Sequence, residues 1–190
     1  MENKALLQHK KTIKQVPMIQ GTKIKLGPYP HNEEFYKIYQ KWLERKDIQN
    51  DLGEPEQAPS LDEIKDMLTG WDTSEGNLSW CIFDIESGKP LGDINILTNQ
   101  EFKVPEISIM VAESQNKGYG KEAMKLILDY AFNQIKIKKI ALSVYKDNVR
   151  AVEFYKKLGF KTIQEFTKPE DEPEYLMEME NPNITKNQNP

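Results

Sequence analysis

Between residues 106 and 133 the chain changes its hydrophobic period across one short glycine turn. Glu106 to Ala112 is an apolar alternating run, the pattern of a strand. Gln115-Asn116-Lys117-Gly118-Tyr119-Gly120 follows. From Tyr119 to about Asn133, a helical stripe runs through Ala123, Met124, Ile127, Leu128 and Ala131. Strand, turn and helix start in that order leave unpaired backbone N–H groups at the positive end of a helix dipole, which favours an anion. Gly118 and Gly120 let the backbone approach that anion without a Cβ in the way, and Lys117 and Lys121 add full positive charge. The segment reads as a phosphate site, and the rest of the chain has to say what carries the phosphate.

Two common phosphate motifs fit poorly. A P-loop needs Gly, four residues and then Gly-Lys-Ser/Thr, and no such string occurs. A dinucleotide fingerprint could start at Gly118 and Gly120 with Ala123 in third place. The strand after this helix, however, ends near Val144 without the acidic residue that the fingerprint wants. A net charge of -4 and a pI near 5.4 exclude a domain-wide basic field for nucleic acid. Cys81 is the single cysteine, so an intrachain disulfide is impossible and a zinc cluster is not expected; His9 and His31 are too isolated for a metal site. No apolar run approaches the roughly 18 residues of a membrane span, and Lys10, Lys11 and Lys14 follow Ala5-Leu6-Leu7 too soon for a signal peptide. The expectation is a soluble cytoplasmic protein, monomer or homodimer, with no metal and no nucleic-acid or membrane partner.

Along the chain, residues 1–18 read as a flexible lysine-rich arm, 19–180 as one domain and 181–190 as a disordered tail. Within the domain, strands are expected at Thr22–Leu26, Trp80–Ile85, Leu91–Leu97, Glu106–Ala112, Lys139–Val144, Phe160–Phe166 and Tyr175–Met179. Helices are expected at Glu33–Arg45, from the capping box Ser60-Leu61-Asp62-Glu63 through Leu68, at Tyr119–Asn133, and at Arg150–Leu158 with a Gly159 stop. The result is an α/β (α+β) domain: a mixed, mostly antiparallel twisted sheet of about seven strands with about four helices on both faces.

A second string selects among phosphate carriers. Asn148-Val149-Arg150-Ala151-Val152-Glu153-Phe154-Tyr155-Lys156-Lys157-Leu158-Gly159-Phe160 lies about thirty residues beyond the glycine turn. The Gln-x-x-Gly-x-Gly turn resembles the pyrophosphate signature of the GNAT N-acetyltransferases, and this string resembles their Asn-x-x-Ala-x-x-x-Tyr-x-x-x-Gly-Phe segment at its usual distance. The element order matches too, so the resemblance covers about 160 of the 190 residues. Gly92-Asp93-Ile94 looks like the branch that acetylates ribosomal proteins and aminoglycosides.

The resemblance implies the GNAT acyl-CoA fold, splayed between the fourth and fifth expected strands, and acetyl-CoA as acetyl donor. It implies that Ile109, Met110 and Val111 meet the pantetheine, with the free backbone of Ile109 and Val111 pairing with its amides and an N–H near Val111 serving the oxyanion. It carries the pyrophosphate to Gln115, Asn116, Lys117, Gly118, Tyr119, Gly120 and Lys121, and brings Asn148 and Ala151 to the cofactor. Tyr155 matches the tyrosine that protonates the leaving thiolate. Glu106 resembles the glutamate that, in some members, removes the proton of an alkylammonium whose pKa is near ~10.4.

Plain structural readings stand beside these roles. Tyr155 alone is a core aromatic, and its place in the motif reverses that. Glu106 alone is a solvated strand-end carboxylate, Asn148 an N-cap and Cys81 a small buried hydrophobe, with Trp71 and Trp80 as core or loop anchors. Acidic residues gather in two places, Asp47, Asp51, Glu54, Glu56, Asp62 and Glu63, and then Glu165, Glu170, Asp171, Glu172 and Glu174. If they line a cleft mouth they concentrate a cationic acceptor, a polyamine- or aminoglycoside-like amine, with a protein N-terminal α-amine as the alternative. A sensor that binds acyl-CoA without turnover is the remaining reading.

Overall fold

The computed structural model describes residues 16–52, 57–97, 104–113, 117–167 and 172–184. One eight-stranded sheet runs in the order β1 (Ile19–Gln20), β2 (Ile24–Gly27), β3 (Leu78–Asp84), β4 (Pro90–Leu97), β5 (Glu106–Val111), β6 (Lys139–Tyr145), β8 (Glu174–Glu180), β7 (Lys161–Phe166). Every neighbouring pair is antiparallel except β5 with β6. These two are parallel and in register only at Glu106 and Ala141, so they part beyond that point. The expected splay is there. The helices are α1 (Glu33–Leu43), α2 (Lys46–Leu52), α3 (Leu61–Thr73), α4 (Tyr119–Asp129), closed by a π-helical turn at Tyr130–Gln134, and α5 (Val149–Leu158).

Strand alternation sorts the core into two layers. Ile24, Leu26, Trp80, Ile82, Ile94 and Ile96 face α4, where Met124 and Ile127 are fully buried. Cys81 and Met110 face the other way, against Phe35, Tyr39 and Trp42 of α1 and Ile64 and Leu68 of α3. Trp80 is the core anchor its sequence suggested, its Nε1 donating to the Pro17 carbonyl at 2.9 Å.

Several details exceed the sequence expectation. The sheet has eight strands rather than about seven, because β1 is a two-residue strand too short to show a period. A fifth helix, α2, fills what read as a loop. The arm expected over 1–18 lies largely outside the described residues, and of its last three Val16 is buried in the core. Of the expected tail, Asn181 is buried and its side-chain amide donates to the Phe132 and Ile137 carbonyls, closing the π-turn. Residues 185–190 lie outside the described residues.

The α1-facing layer carries a buried acid. Asp93 accepts from the Tyr39 hydroxyl at 2.5 Å and from the Met110 backbone N–H, with the Tyr29 hydroxyl also facing it. Burial nevertheless pushes its carboxyl up to about 7, against those hydrogen bonds. Burial also pushes up the thiol of Cys81, directly opposite, which fits a small inert core residue. An unfolded aspartate titrates near ~3.9, so Asp93 favours the folded state fully below that value, and the contribution is lost as pH rises through about 7. Stability measured by urea unfolding should therefore fall by roughly 3 kcal/mol from this group between about pH 4 and 7. Asp93→Asn should flatten that part of the profile, and an unchanged slope in the variant would locate the pH dependence elsewhere.

Candidate functional site

The cleft begins where β5 and β6 part. Its inner half, of about 340 Å³, is walled by Glu106 to Val111 of β5, by Ser143 to Tyr145 of β6 and by Glu174 of β8. Leu97 of β4, Ile48, Asp51 and Leu52 of α2, the α5 N-cap Asn148, and Ala151 and Tyr155 of α5 complete it. The outer half continues past Val111 to Gly118, Tyr119, Gly120 and Lys121, with Asp51, Asn148, Arg150, Ala151 and Phe154 on the far side. The two halves share Asp51, Val111, Asn148 and Ala151, so one groove joins the glycine turn to the splay.

At the outer end Gly118 is the N-cap of α4 with φ 84°, a left-handed conformation that glycine adopts without strain. It contributes no side-chain cap, so the first-turn N–H groups of α4 face the groove. The turn is fixed from three sides. Trp42 Nε1 donates to Glu113 Oε1 at 2.9 Å, and the Arg45 guanidinium donates to the Ala112 carbonyl. Lys23 Nζ donates to the Lys117 carbonyl at 3.1 Å. Glu122, in the first turn of α4, accepts from the backbone N–H groups of Thr22 and Lys23. Tyr119 sends its hydroxyl away, to Asp84 at 3.0 Å, which leaves its backbone to the site. Gln115 and Asn116 lie outside the described residues.

Along β5 the backbone alternates. The N–H groups of Met110 and Ala112 turn to β4, the first to the Asp93 carboxyl and the second to the Leu91 carbonyl at 2.8 Å. Those of Ile109 and Val111 therefore point to β6, across the gap. Of the three residues expected to meet the pantetheine, two offer their amides to the cleft. Met110 does not, and its side chain is buried against α1.

Asn148 is an N-cap, as its residue type suggests, and it lines the groove. Its Oδ1 caps α5 by accepting from the Ala151 N–H at 3.1 Å, while its Nδ2 donates to Asp51 Oδ1 at 3.1 Å. Tyr155 stands two helical turns beyond Asn148, its ring packed against Phe154 and Phe160 at centroid distances of 5.3 and 6.0 Å. Burial, with the negative charge of Asp51 adding, pushes its phenol up to about 12, so it keeps its proton throughout the physiological range. Glu106 sits at the vertex of the splay and accepts a long hydrogen bond from Ser143 Oγ at 3.5 Å.

Two carboxylates in this cleft were read from sequence only as loop acids. Asp51 belongs to α2, and Glu174 starts β8 and is buried. The signal for Asp51 is faint, since Lys46–Leu52 has only Ile48 and Leu52 as an apolar face. With Glu106 they leave the inner half acidic, and among the described residues no lysine, arginine or histidine lines it. The outer half has Lys121 and Arg150.

Residues 25–161 match the family model described as the acetyltransferase (GNAT) domain. The chain belongs to the GNAT family. An N-acetyltransferase 9-like protein of Caenorhabditis briggsae is 31% identical over 147 residues, 70% of this chain and 73% of that protein. The alpha/beta-tubulin-N-acetyltransferase 9 of Drosophila melanogaster is 27% identical over 158 residues, 75% and 77% of the two chains. In structure, the spermidine N-acetyltransferase of Vibrio cholerae, solved with CoA and spermine, superposes with a TM-score of 0.71. That match spans 85% of this chain and 97% of the other at 19% identity, which speaks to the fold. This GNAT protein is thus an N-acetyltransferase with acetyl-CoA as donor. Among the described residues no helix is long and apolar enough to cross a membrane, and no group of His, Cys, Asp and Glu could hold a metal.

Proposed function

We propose that this GNAT enzyme acetylates the primary amine of a small cationic acceptor, polyamine-like, by direct attack on the thioester. The polarity of the groove carries this reading: cationic where phosphates would lie and, among the described residues, acidic with no lysine, arginine or histidine where the acceptor would enter. The donor's phosphates meet the first-turn N–H groups of α4 with Lys121 and Arg150, and its pantetheine pairs with Ile109 and Val111 like an added strand. Tyr155 hydrogen-bonds the sulfur and supplies the proton that the leaving thiolate takes. Glu106, at the vertex, takes the ammonium proton through water. The likeness of Gly92-Asp93-Ile94 to the branch acting on ribosomal proteins and aminoglycosides suits a cationic acceptor as well.

The specific observation for a second reading is the pair of relatives aligned over most of the chain, one named for acetylating tubulin. It favours a protein N-terminal α-amine. A thiol-release assay with acetyl-CoA separates the two. Spermidine and spermine should show kcat/KM at least about tenfold above uncharged-tail monoamines. Turnover of peptides with free N-termini, with polyamines inert, would replace the first reading by the second. Glu54, Glu56, Glu170 and Asp171, expected at the mouth, lie outside the described residues, so the charge argument rests on Asp51, Glu106 and Glu174.

A further inference from the structure

Asp51 is one of four residues that line both the acidic and the cationic half of the groove, and the one carboxylate among them. One hydrogen bond and three charge interactions define its surroundings. Asn148 Nδ2 holds its Oδ1 at 3.1 Å, which turns the carboxylate toward α5. Its negative charge is felt by the Tyr155 phenol, so it stands close to the group that faces the sulfur. Arg150, from the outer half, supplies a compensating positive charge, while Asp47 opposes it from the same helix. Asp47 is itself paired with Arg45 at 2.6 Å, so its own charge is largely answered.

Asp51 also lines the inner cleft, where Glu106 and Glu174 are acidic too. An exposed carboxylate on an acidic cleft wall is a ready partner for a cation.

We propose that Asp51 is the anchor for an ammonium group of the acceptor. The anchor holds a cationic nitrogen on the same cleft wall as Tyr155, which brings the attacking amine to the thioester. No proton or bond changes at Asp51 in this role, so it is a substrate-binding residue. The proposal rests on the acetyl-transfer reading above and refines its acceptor site.

The test compares Asp51→Asn, which keeps the shape and the hydrogen bond to Asn148, with Asp51→Glu, which keeps the charge. Acetyl-CoA affinity is read by calorimetry, and kcat and KM are read for spermine, spermidine and a monoamine. In Asp51→Asn the KM for spermine should rise by about tenfold or more, with a smaller rise for spermidine and least for the monoamine. The Kd for acetyl-CoA should stay within about threefold, and Asp51→Glu should recover part of the loss. Equal loss for all amines, or a loss confined to acetyl-CoA affinity, would make Asp51 a wall residue and overturn the proposal. If the wild-type enzyme accepts only peptides, the same comparison is made between a peptide with a basic and one with a neutral N-terminal segment. If it turns over no amine, the acetyl-transfer assignment fails separately. Spermine binding to the protein–CoA complex then decides the anchor, and no binding by the wild type overturns it.

Discussion

Tyr155→Phe should lower kcat by about 10²–10⁴-fold and leave acetyl-CoA affinity within about threefold. The ring contacts with Phe154 and Phe160 survive the change, so packing supplies no reason for a large loss of stability. What disappears is the hydroxyl in the inner cleft wall. Because burial and Asp51 raise its pKa to about 12, the phenol can serve as a hydrogen-bond donor and acid but not as a base near neutrality. A thiolate of ordinary basicity, with a pKa near ~8.5, would not strip such a phenol by itself. Transfer is therefore expected to be coupled to the nitrogen. As the tetrahedral intermediate collapses, its cationic nitrogen returns a proton to the tyrosine, and the thiol and the amide leave together. Single-turnover kinetics is the measurement, since it separates chemistry from product release. A variant with kcat within threefold of wild type would leave Tyr155 as packing and nothing more.

The parts of this site that the sequence exposed are those where backbone geometry restricts residue choice. Gly118 and Gly120 stand out because a left-handed N-cap and an uncovered helix start exclude side chains, and Asn148 stands out because an N-cap needs a short acceptor. The splay follows from the resemblance rather than from periodicity, since β5 and β6 read as ordinary strands until their pairing is seen to stop after one register pair. Helix α2 was invisible for a physical reason. Its seven polar-rich residues are held by two apolar contacts and by neighbours distant in sequence, so local propensity says little. Asp51 was hidden with it. Helix α3 is expected to stop at Leu68 but runs to Thr73, through a Gly70 whose cost of about 1 kcal/mol relative to alanine does not end a helix by itself. Asp93 and Asn95 sit on the buried face of β4, where alternation alone expects apolar residues. Their partners Tyr39 and Tyr29 come from more than fifty residues away.

Gly92→Ala should cost more than about 4 kcal/mol of stability and weaken acetyl-CoA binding in whatever folded fraction remains. Gly92 has φ 157° and faces Val111 across the β4–β5 pair. A Cβ there would collide with the Met110 carbonyl oxygen, lie 2.9 Å from its carbon and 3.0 Å from the Val111 Cα. All three are backbone atoms, which cannot swing aside as a flexible side chain can. Relief requires β5 to move outward at the point where it has left β6 and where the Val111 N–H points into the gap. The Leu91 carbonyl next to Gly92 also accepts from the N–H groups of Ala112 and Glu113, at 2.8 and 2.9 Å, so the same movement strains the entry to the phosphate turn. Gly88→Ala is the control: its φ is 69° but a Cβ there meets nothing, so only the left-handed penalty of about 1–2 kcal/mol applies. Urea unfolding of both variants makes the comparison, and a Gly92→Ala chain already unfolded in buffer meets the expectation. Equal costs would mean that the strands separate easily at this point. Unequal costs would tie the stability of the fold to the close approach that sets β5 at the mouth of the cleft.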